Sequence, residues 1–481
     1  MNREDWQRVE NTFKQIWGYD SFRPPQAEII RTLLSGKDAL IVMPTGGGKS
    51  ICFQLPAILQ DGLTIVVSPL VALIENQVAQ LQKLGLSGAL LHSELSRREK
   101  KQTLNKIAAQ QLKILYLSPE TLLSLPVWNL LIQPQIKITR LILDEVHCLT
   151  QWGTTFRPAY LRLGAVRSSL LKYRPSGSKI AIAAFTATAD TATQQAIIKI
   201  LQLRQPDKFL ISPYRANLNL QIQRVWTPKG RKDKTLNFIR QQKNNSGLVY
   251  VRSRKDSELL ANWFRSFNYA AAAYHAGLVT QQRRKIERDW LTGKIQFAVC
   301  TSAFGMGIDK SDVGWVMHFH HPELLAEYIQ EVGRSGRNGK NATALTLVSE
   351  PTGLLNPEDK QRSKFFSSQL EKRNRQAKQL FKQLPNTGNI IDISQHFPQA
   401  ETSLGILFSL GLISWNDPFC YQKKSLVRIN KAQSTQHQVW QKSLQKYLNT
   451  KQCRWRFLLA AFGFSQEARS LQCGHCDRCL S

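Results

Sequence analysis

The sequence predicts an α/β protein with two parallel-sheet lobes and a small basic C-terminal module. Short β-rich runs alternate with longer amphipathic stretches from residue 38 to about 210, which is typical of a parallel sheet covered by helices. A second series of the same kind begins at Gly247 and ends near Val348. Beyond Glu350 basic residues dominate, and four cysteines lie together near the end. We therefore expect three parts, at residues 1–210, 211–350 and 351–481.

The apolar runs give the strands of each lobe. In the first lobe we predict strands at residues 39–43, 64–67, 114–117, 141–143 and 180–185. In the second lobe we predict them at residues 247–251, 297–300, 315–319 and 344–348. The polar stretch at residues 226–233 is either the connection between the lobes or a surface loop of the second lobe.

The C-terminal part is predicted to contain several helices and short strands. Residues 361–382 form a basic predicted helix, and residues 402–412 form an apolar one. A turn at residues 416–418 and a polar, strand-like run at 421–429 follow it. A helix followed by a hairpin resembles a small winged-helix unit, at about residues 383–432. A purely structural spacer before the cysteine-rich region, at about 433–481, is the alternative.

The charge of the chain indicates the kind of partner. Its 65 Lys and Arg against 34 Asp and Glu give a formal net charge of +31 and a pI near 10.0. Such a field favours polyanions such as nucleic acid, with membrane surfaces as the weaker alternative. No apolar run approaches the length of a membrane span, and the amino terminus is charged rather than a signal peptide. We expect a soluble, cytoplasmic protein.

A glycine-rich turn directly follows the first predicted strand and precedes a predicted helix at residues 50–59. Backbone N–H groups of such a turn, with a helix N-terminus, surround a polyanion. In the usual pattern Lys49 reaches the terminal phosphates of a nucleotide and the Ser50 hydroxyl ligates Mg²⁺, although Met43 stands where the first glycine is expected. The residues assigned to this triphosphate cradle are Thr45, Gly46, Gly47, Gly48, Lys49 and Ser50. A turn that only connects strand and helix is the alternative.

Two adjacent carboxylates end the predicted strand at residues 141–143. In a nucleotide site Asp144 would hold the Mg²⁺, and Glu145 would orient or deprotonate the attacking water. The alternative is a solvated acidic loop. Together with the glycine turn, this pair predicts ATP hydrolysis.

The cysteines near the C-terminus have the spacing of a metal site. Cys473, Cys476 and Cys479 form a Cys-x-x-Cys-x-x-Cys run, with Cys453 upstream. Four thiolates suit a tetrahedral structural Zn²⁺ in a reducing compartment. Free thiols and an iron–sulfur cluster are the alternatives, and His475 could replace one thiolate.

Two arginines, Arg334 and Arg337, lie three residues apart beside glycines in the second lobe. The planar guanidinium matches phosphate oxygens. If the lobes face each other across the nucleotide, both arginines can reach the terminal phosphate from the lobe opposite Lys49. The alternative is two surface arginines in a basic protein.

These motifs together resemble the RecQ family of DNA helicases in helicase superfamily two. Beyond the motifs above, the similar segments are residues 17–26, 67–73, 116–120, 185–190, 274–278 and 303–309. The resemblance implies two RecA-like lobes, with Arg23 stacking on adenine and Gln26 hydrogen-bonded to its edge. The cysteine cluster is similar to the zinc-binding domain of the family.

Residues 148–160 resemble the aromatic-rich loop that couples binding of single-stranded DNA to hydrolysis in this family. The resemblance implies that Trp152, Phe156 and Arg157 are the coupling residues, since aromatic rings and arginine stack on bases without reading sequence. Trp152 and Phe156 could instead be core residues. The chain departs from the family at Thr154 and Thr155, where a His-Asp pair is common, and at Asn76, where Asp is usual.

Two further departures concern length. The chain ends two residues after Cys479, so the winged-helix and helical domains that often follow the zinc site in this family are expected to be missing. The stretch between Arg337 and Cys453 is longer than the family usually shows.

The resemblance implies an ATP- and Mg²⁺-dependent DNA helicase that moves 3′ to 5′ on single-stranded DNA and unwinds duplexes in recombination and repair. We expect single-stranded and partly duplex DNA as partners, a monomeric protein, and no membrane contact. An RNA helicase, a translocase that does not separate strands, and a zinc-containing DNA-binding regulator with a nucleotide switch are the alternatives.

Overall fold

A computed structural model describes residues 3–44, 46–151, 157–304, 310–424 and 431–480. The chain divides into two compact units. The first comprises Met1–Ile211 and Lys372–Thr435, and the second comprises Ser212–Glu371 and Gln436–Ser481.

The first unit contains a seven-stranded sheet in the order β3-β4-β2-β5-β6-β1-β7, with all neighbours parallel. Its strands are β1 (Ala39–Val42), β2 (Leu63–Val67), β3 (Gly88–Leu91), β4 (Ile114–Leu117), β5 (Ile138–Leu143), β6 (Ala181–Thr186) and β7 (Asp207–Leu210). Every residue of β1, β2, β4 and β6 is buried, as expected for strands covered on both faces.

Helices cover this sheet, and one 3₁₀ helix, Pro158–Ala165, leads into α9. The α-helices are α1 (Arg3–Trp17), α2 (Gln26–Leu34), α3 (Lys49–Leu59), α4 (Val71–Lys83), α5 (Arg97–Ala108), α6 (Pro119–Leu122), α7 (Leu125–Leu131), α8 (Cys148–Gln151), α9 (Val166–Leu171) and α10 (Thr191–Ile200). Because all strands are parallel, their carboxyl ends lie at one edge, which is where ligands bind in such sheets.

The second unit contains a six-stranded parallel sheet in the order β10-β11-β9-β12-β13-β8. Its strands are β8 (Leu218–Val225), β9 (Ser246–Tyr250), β10 (Ala271–Tyr274), β11 (Phe297–Cys300), β12 (Val313–His318) and β13 (Ala342–Ser349). The helices are α11 (Pro228–Gln241), α12 (Arg254–Arg265), α13 (Thr280–Leu291) and α14 (Leu325–Val332).

The C-terminal region begins with the long basic helix α15 (Glu358–Gln383). A small three-stranded antiparallel sheet with two helices follows, and three further helices end the described chain. They are β14 (Thr387–Asn389), α16 (Ile390–His396), α17 (Ala400–Ser409), β15 (Ile413–Trp415), β16 (Cys420–Lys423), α18 (Lys431–Asn449), α19 (Arg454–Ala461) and α20 (Ser465–Ser470).

The C-terminal region, predicted as one part, is divided between the two units because its apolar side chains belong to different cores. Leu404, Leu407 and Ile413 are buried in the core of the first sheet. Trp455 and Tyr447 are buried with residues of the second sheet, and the indole Nε1 of Trp455 donates to Leu218 O at 3.1 Å.

The predicted fold class, two parallel-sheet lobes of the α/β class, is confirmed. The predicted ends of the strands lie within two residues of the observed ends, except that β5 begins three residues before its predicted start. Residues 226–233 do not join the units. They connect β8 to α11 and form the first turns of α11, where Arg231 is fully buried. The segment is therefore neither the connection between the lobes nor a surface loop. The predicted helix-then-hairpin pattern corresponds to α17, β15 and β16. Part of the predicted strand at 421–429 lies outside the described residues.

Candidate nucleotide and metal sites

The glycine turn lies between β1 and α3, at the carboxyl edge of the first sheet. Gly46 and Gly48 have φ of 84° and 79°, a region that side chains rarely adopt. A Cβ atom at Gly48 would overlap the amide of Gln26. The turn therefore needs glycine, and it presents the N-terminus of α3 to a ligand as an anion site does. Thr45 lies outside the described residues.

Lys49 and Ser50 are the first two residues of α3, and both are partly exposed. Lys49 lies close enough to Asp144 for its charge to lower the pKa of that carboxyl group. The structure thus brings together the predicted phosphate-binding lysine and the predicted Mg²⁺ ligand, although 95 positions separate them in the sequence.

Asp144 directly follows β5 and is buried. Burial and the charge of Glu145 raise the pKa of Asp144 to about 7, against the opposite effect of Lys49. A buried carboxylate beside another carboxylate is stabilised by a cation. The donor set of Asp144 and the Ser50 hydroxyl consists of oxygen atoms, as Mg²⁺ prefers, so these residues fit the ion.

Glu145 is held in an unusual backbone conformation. Its φ is 51°, which is uncommon for a residue other than glycine and is found at functional sites. Its N–H donates to Asp144 Oδ1 at 3.0 Å, and its Oε2 lies 3.2 Å from His147 Nδ1. His147 Nδ1 also lies 3.1 Å from Thr186 Oγ1, at the end of β6. Strand β6 therefore helps to orient the carboxylate that is predicted to act on water.

Gln26 connects the predicted adenine-binding segment to the glycine turn. It begins α2 and is buried. Its Oε1 accepts from Arg23 N at 2.9 Å, and its Nε2 donates to Gly47 O and Gly48 O at 3.3 and 3.4 Å. Arg23 is exposed, as a side chain that stacks on a base must be. Hydrogen bonds of Gln26 thus link the two segments.

The segment after α8 contains the predicted coupling residues Trp152, Phe156 and Arg157. Trp152 and Phe156 lie outside the described residues, as do Thr154 and Thr155. Arg157 is described. Its guanidinium lies 2.9 Å from Glu120 Oε2 and donates to Pro69 O at 2.5 Å. It therefore links the loop after β2 to helix α6, which follows β4.

Arg334 and Arg337 follow α14 in the second unit, where Arg334 is buried and Arg337 is half-buried. Arg215 donates to Gly333 O at 3.3 Å, and Asn217 Nδ2 donates to Gly336 O at 2.8 Å. Burial lowers the pKa of Arg215, and the charge of Arg337 lowers it further. Two guanidinium groups held near one another favour a polyanionic ligand.

An ion-pair network that sequence reasoning missed fixes the helix before these arginines. Glu331 is buried on α14, and both of its oxygens accept from Arg252, at 3.1 and 2.7 Å. His318 Nε2 lies 3.0 Å from it. Burial alone would raise the pKa of Glu331, but Arg252 and His318 outweigh burial and lower it to about 2. Only the placement of Glu331 next to the arginine motif could have suggested its importance.

The four C-terminal cysteines form one cluster in the second unit. Their Sγ atoms all lie within 4.8 Å of one another, with 3.8 Å between Cys473 and Cys479 and 3.5 Å between Cys476 and Cys479. A tetrahedron with Zn–S bonds of about 2.3 Å has sulfur atoms about 3.8 Å apart. The cluster therefore fits Zn²⁺, and it offers no open position for catalysis.

Neighbouring groups hold the cluster in place. Arg454 N donates to Cys476 Sγ and Cys473 N donates to Cys453 Sγ, both at 3.4 Å. Arg454 is fully buried, and its guanidinium binds both oxygens of Asp477 at 2.8 and 2.9 Å. His475 is not part of the cluster, and its Nδ1 lies 2.6 Å from Cys473 O. The geometry thus favours four thiolate ligands over the histidine alternative.

Cys476→Ser is expected to remove the bound zinc and to lower the melting temperature of the protein, because structural zinc binding supplies folding free energy. Metal content measured by elemental analysis should fall from one Zn²⁺ per chain to none. Cys420→Ser is the matched control, since Cys420 lies outside the cluster, in β16. A wild-type protein that is free of zinc and equally stable would contradict the assignment.

No helix in the described part of the chain is long and apolar enough to cross a membrane.

Comparison with protein families assigns a class to this architecture. Residues 23–197 match the DEAD/DEAH box helicase family, and residues 230–339 match the helicase conserved C-terminal domain. Residues 420–480, which include all four clustered cysteines, match the RecQ zinc-binding family. The fold and the nucleotide site therefore belong to a helicase.

Individual relatives give the family. The chain is 48% identical to the ATP-dependent DNA helicase RecQ of Synechocystis sp., over 99% of both chains. It is 40% identical to the protein of that name from Haemophilus influenzae over 71% of this chain, which corresponds to about half (53%) of that relative. The chain belongs to the RecQ family of ATP-dependent DNA helicases.

Solved structures support the fold alone. S. cerevisiae Dbp5 bound to RNA and ADP BeF3 matches with a TM-score of 0.58 and 18% identity, over 72% of this chain and 89% of that one. Mycobacterium smegmatis helicase Lhr bound to ssDNA and AMP-PNP matches with a TM-score of 0.56 and 19% identity, over 72% of this chain and 48% of that one.

Proposed function

We propose that this protein couples ATP hydrolysis to 3′–5′ movement along single-stranded DNA and to the separation of duplex strands, in DNA recombination and repair. The observation that carries the proposal is the position of Lys49 beside the buried Asp144 and Glu145, in a chain of the RecQ family. A lysine at a helix N-terminus and an acidic pair are the positioning groups of phosphoryl transfer.

In the proposed mechanism, residues 1–210 bind ATP and residues 211–350 supply the arginines. The turn of Gly46, Gly47, Gly48 and Lys49, with Thr45, holds the phosphates, and Ser50 and Asp144 hold Mg²⁺. The ion would supply charge neutralisation on the phosphates. Glu145 orients or deprotonates the attacking water, and Arg334 and Arg337 bind the terminal phosphate. Arg23 and Gln26 contact the adenine.

Binding of DNA is proposed to reach this site through Trp152, Phe156 and Arg157. The large positive charge of the chain supports affinity for a phosphate backbone. The C-terminal cysteine region, residues 433–481, would have a structural role in the helicase. Residues 383–432 are proposed to form a winged-helix-like unit. We further propose a monomer that acts in the cytoplasm.

The decisive experiment compares ATP turnover without nucleic acid, with single-stranded DNA, and with RNA of the same sequence. We expect strong stimulation by DNA only, and displacement of a strand from a duplex with a 3′ tail but not from one with a 5′ tail. Preference for RNA would indicate an RNA helicase, and stimulation without strand displacement would indicate a translocase. Little stimulation by either polymer would favour the nucleotide-switched regulator.

A further inference from the structure

A small module in the C-terminal region, residues 387–424, belongs to the first unit and packs against the segment that follows the candidate hydrolytic site in the sequence. It comprises β14, α16, α17, β15 and β16, and none of the nucleotide-site or zinc-site assignments uses it. Its contact partner is the 3₁₀ helix Pro158–Ala165, which follows the predicted coupling residues Trp152 and Phe156 in the sequence. A change in the packing of the module could therefore alter the position of this helix, which follows the predicted coupling residues.

A buried arginine makes the polar part of this contact. Arg162 lies in the 3₁₀ helix, and its side chain is only 6% exposed. Its guanidinium donates to Glu401 Oε1 at 3.0 Å, on α17, and to Pro418 O at 3.2 Å, in the turn between β15 and β16. One side chain therefore binds two separate elements of the module. Because burial disfavours an uncompensated charge, Arg162 depends on these partners.

The apolar part of the contact is close. A Cβ atom at Gly405, on α17, would lie 3.3 Å from Leu161 Cδ1 and 3.5 Å from Pro158 Cβ, so α17 approaches the 3₁₀ helix closely where it lacks a side chain. On another side of the module, Phe419 meets Trp128 edge-on, with 5.5 Å between the ring centres. The module is thereby packed into the core of the first unit.

The same 3₁₀ helix contacts the hydrolytic site. Tyr160 is fully buried, and its hydroxyl donates to Asp144 O at 3.0 Å. Arg157, directly before this helix, binds Glu120 and Pro69 O. Residues 157–162 thus make three contacts in turn. Arg157 binds α6 and the loop after β2, Tyr160 binds Asp144, and Arg162 binds the small module.

We infer that Arg162 and Glu401 are positioning residues, through which the small module holds the 3₁₀ helix and so determines how strongly DNA stimulates ATP hydrolysis. The inference rests on the proposed function. Tyr160 and Arg162 lie two residues apart in the same 3₁₀ helix, so the contacts of Arg162 with the module restrain the helix from which Tyr160 reaches Asp144. Loss of the ion pair would leave the catalytic residues in place but loosen the segment through which DNA binding acts on them.

The test uses Glu401→Ala in the full-length protein, because the Glu401 side chain is 49% exposed and its loss should leave the fold intact. With saturating single-stranded DNA we expect kcat for ATP hydrolysis to fall by about threefold to tenfold, which lies within the range of coupling changes that single substitutions cause in packed networks. The rate without DNA and the KM for ATP should change little. The melting temperature should fall, because the buried Arg162 loses one of its two partners, so rates are compared at a temperature at which the variant is folded. Glu401→Gln keeps a hydrogen-bond acceptor for Arg162 and should restore part of the stimulation.

Asp392→Ala is the matched control, since Asp392 is an exposed acid on α16 of the same module. It removes the same charge and should leave stimulation unchanged. Full stimulation of a folded Glu401→Ala protein would overturn the inference, as would a proportional fall of the rates with and without DNA, which indicates a structural role only. A wild-type protein that DNA does not stimulate would overturn the proposed function as well, so the two failures are distinguishable.

Discussion

Arg337→Ala is expected to lower kcat for ATP hydrolysis by about 10³- to 10⁵-fold, the contribution that such arginines make in nucleotide hydrolases. Arg337 is half-buried in a turn that Arg215 and Asn217 fix through the carbonyl groups of Gly333 and Gly336. In the proposed mechanism its guanidinium stabilises charge that develops on the transferred phosphoryl group. Since that charge exists mainly in the transition state, the affinity for ATP should change little.

The measurement is steady-state turnover with saturating DNA, together with the Kd of ATP from equilibrium binding. Lys340→Ala is the control, because Lys340 is an exposed cation three residues further along the chain. It should retain nearly the full rate. If hydrolysis and ATP binding of Arg337→Ala fall by the same factor, Arg337 contacts the ground state rather than the transition state, and the assigned role is wrong.

The buried parallel strands were predictable because strands that are buried on both faces consist of apolar residues. Strands β4 and β11 have the predicted bounds, and both consist of four consecutively buried residues. A strand covered on both faces must be apolar throughout, so a short apolar run between helix-length segments suffices. The same reasoning placed Asp144 at the end of β5, because a carboxylate is stable at the polar edge of the sheet and not within it.

The strands that escaped prediction lie at the edges of the sheets or are only partly buried. Strand β7 alternates between half-buried and exposed residues, and β8 contains the exposed pair Gln223 and Arg224 before its last residue. Strands β3 and β10 are edge strands of their sheets and contain half-buried residues. In β7 and β8, a partner on one side only leaves residues free to be polar, so the local pattern resembles a loop. Strands β3 and β10 are apolar but short, and they contain Gly and Ala in place of the β-branched residues that indicate a strand.

Contacts between distant segments also lie beyond a reading of local patterns. Nothing near Glu331 indicates that Arg252, 79 positions earlier, neutralises it. Likewise, Arg162 and Glu401 are 239 positions apart. The spacing of motifs predicts which residues take part in the chemistry. The groups that orient those residues come from distant parts of the sequence and are identified only in the folded structure.

Glu145→Gln is expected to lower ATP turnover by about 10²- to 10⁴-fold, the range for loss of a general base. Glutamine keeps the shape of the side chain and a hydrogen-bonding group toward His147, which lies 3.2 Å from the carboxylate. It lacks the charge needed to orient or deprotonate water. The left-handed backbone of Glu145 and its bond to Asp144 Oδ1 do not depend on that charge, so the fold should be unchanged.

Binding of single-stranded DNA, measured by fluorescence anisotropy, and binding of ATP should both survive in Glu145→Gln, because neither requires the attacking water. The control is Glu28→Gln, which removes an exposed carboxylate from α2 in the same unit and should leave turnover unaffected. Normal turnover in Glu145→Gln would refute the role given to this carboxylate. In that case the acidic pair would serve only to bind the metal ion through Asp144, and another group would have to activate the water.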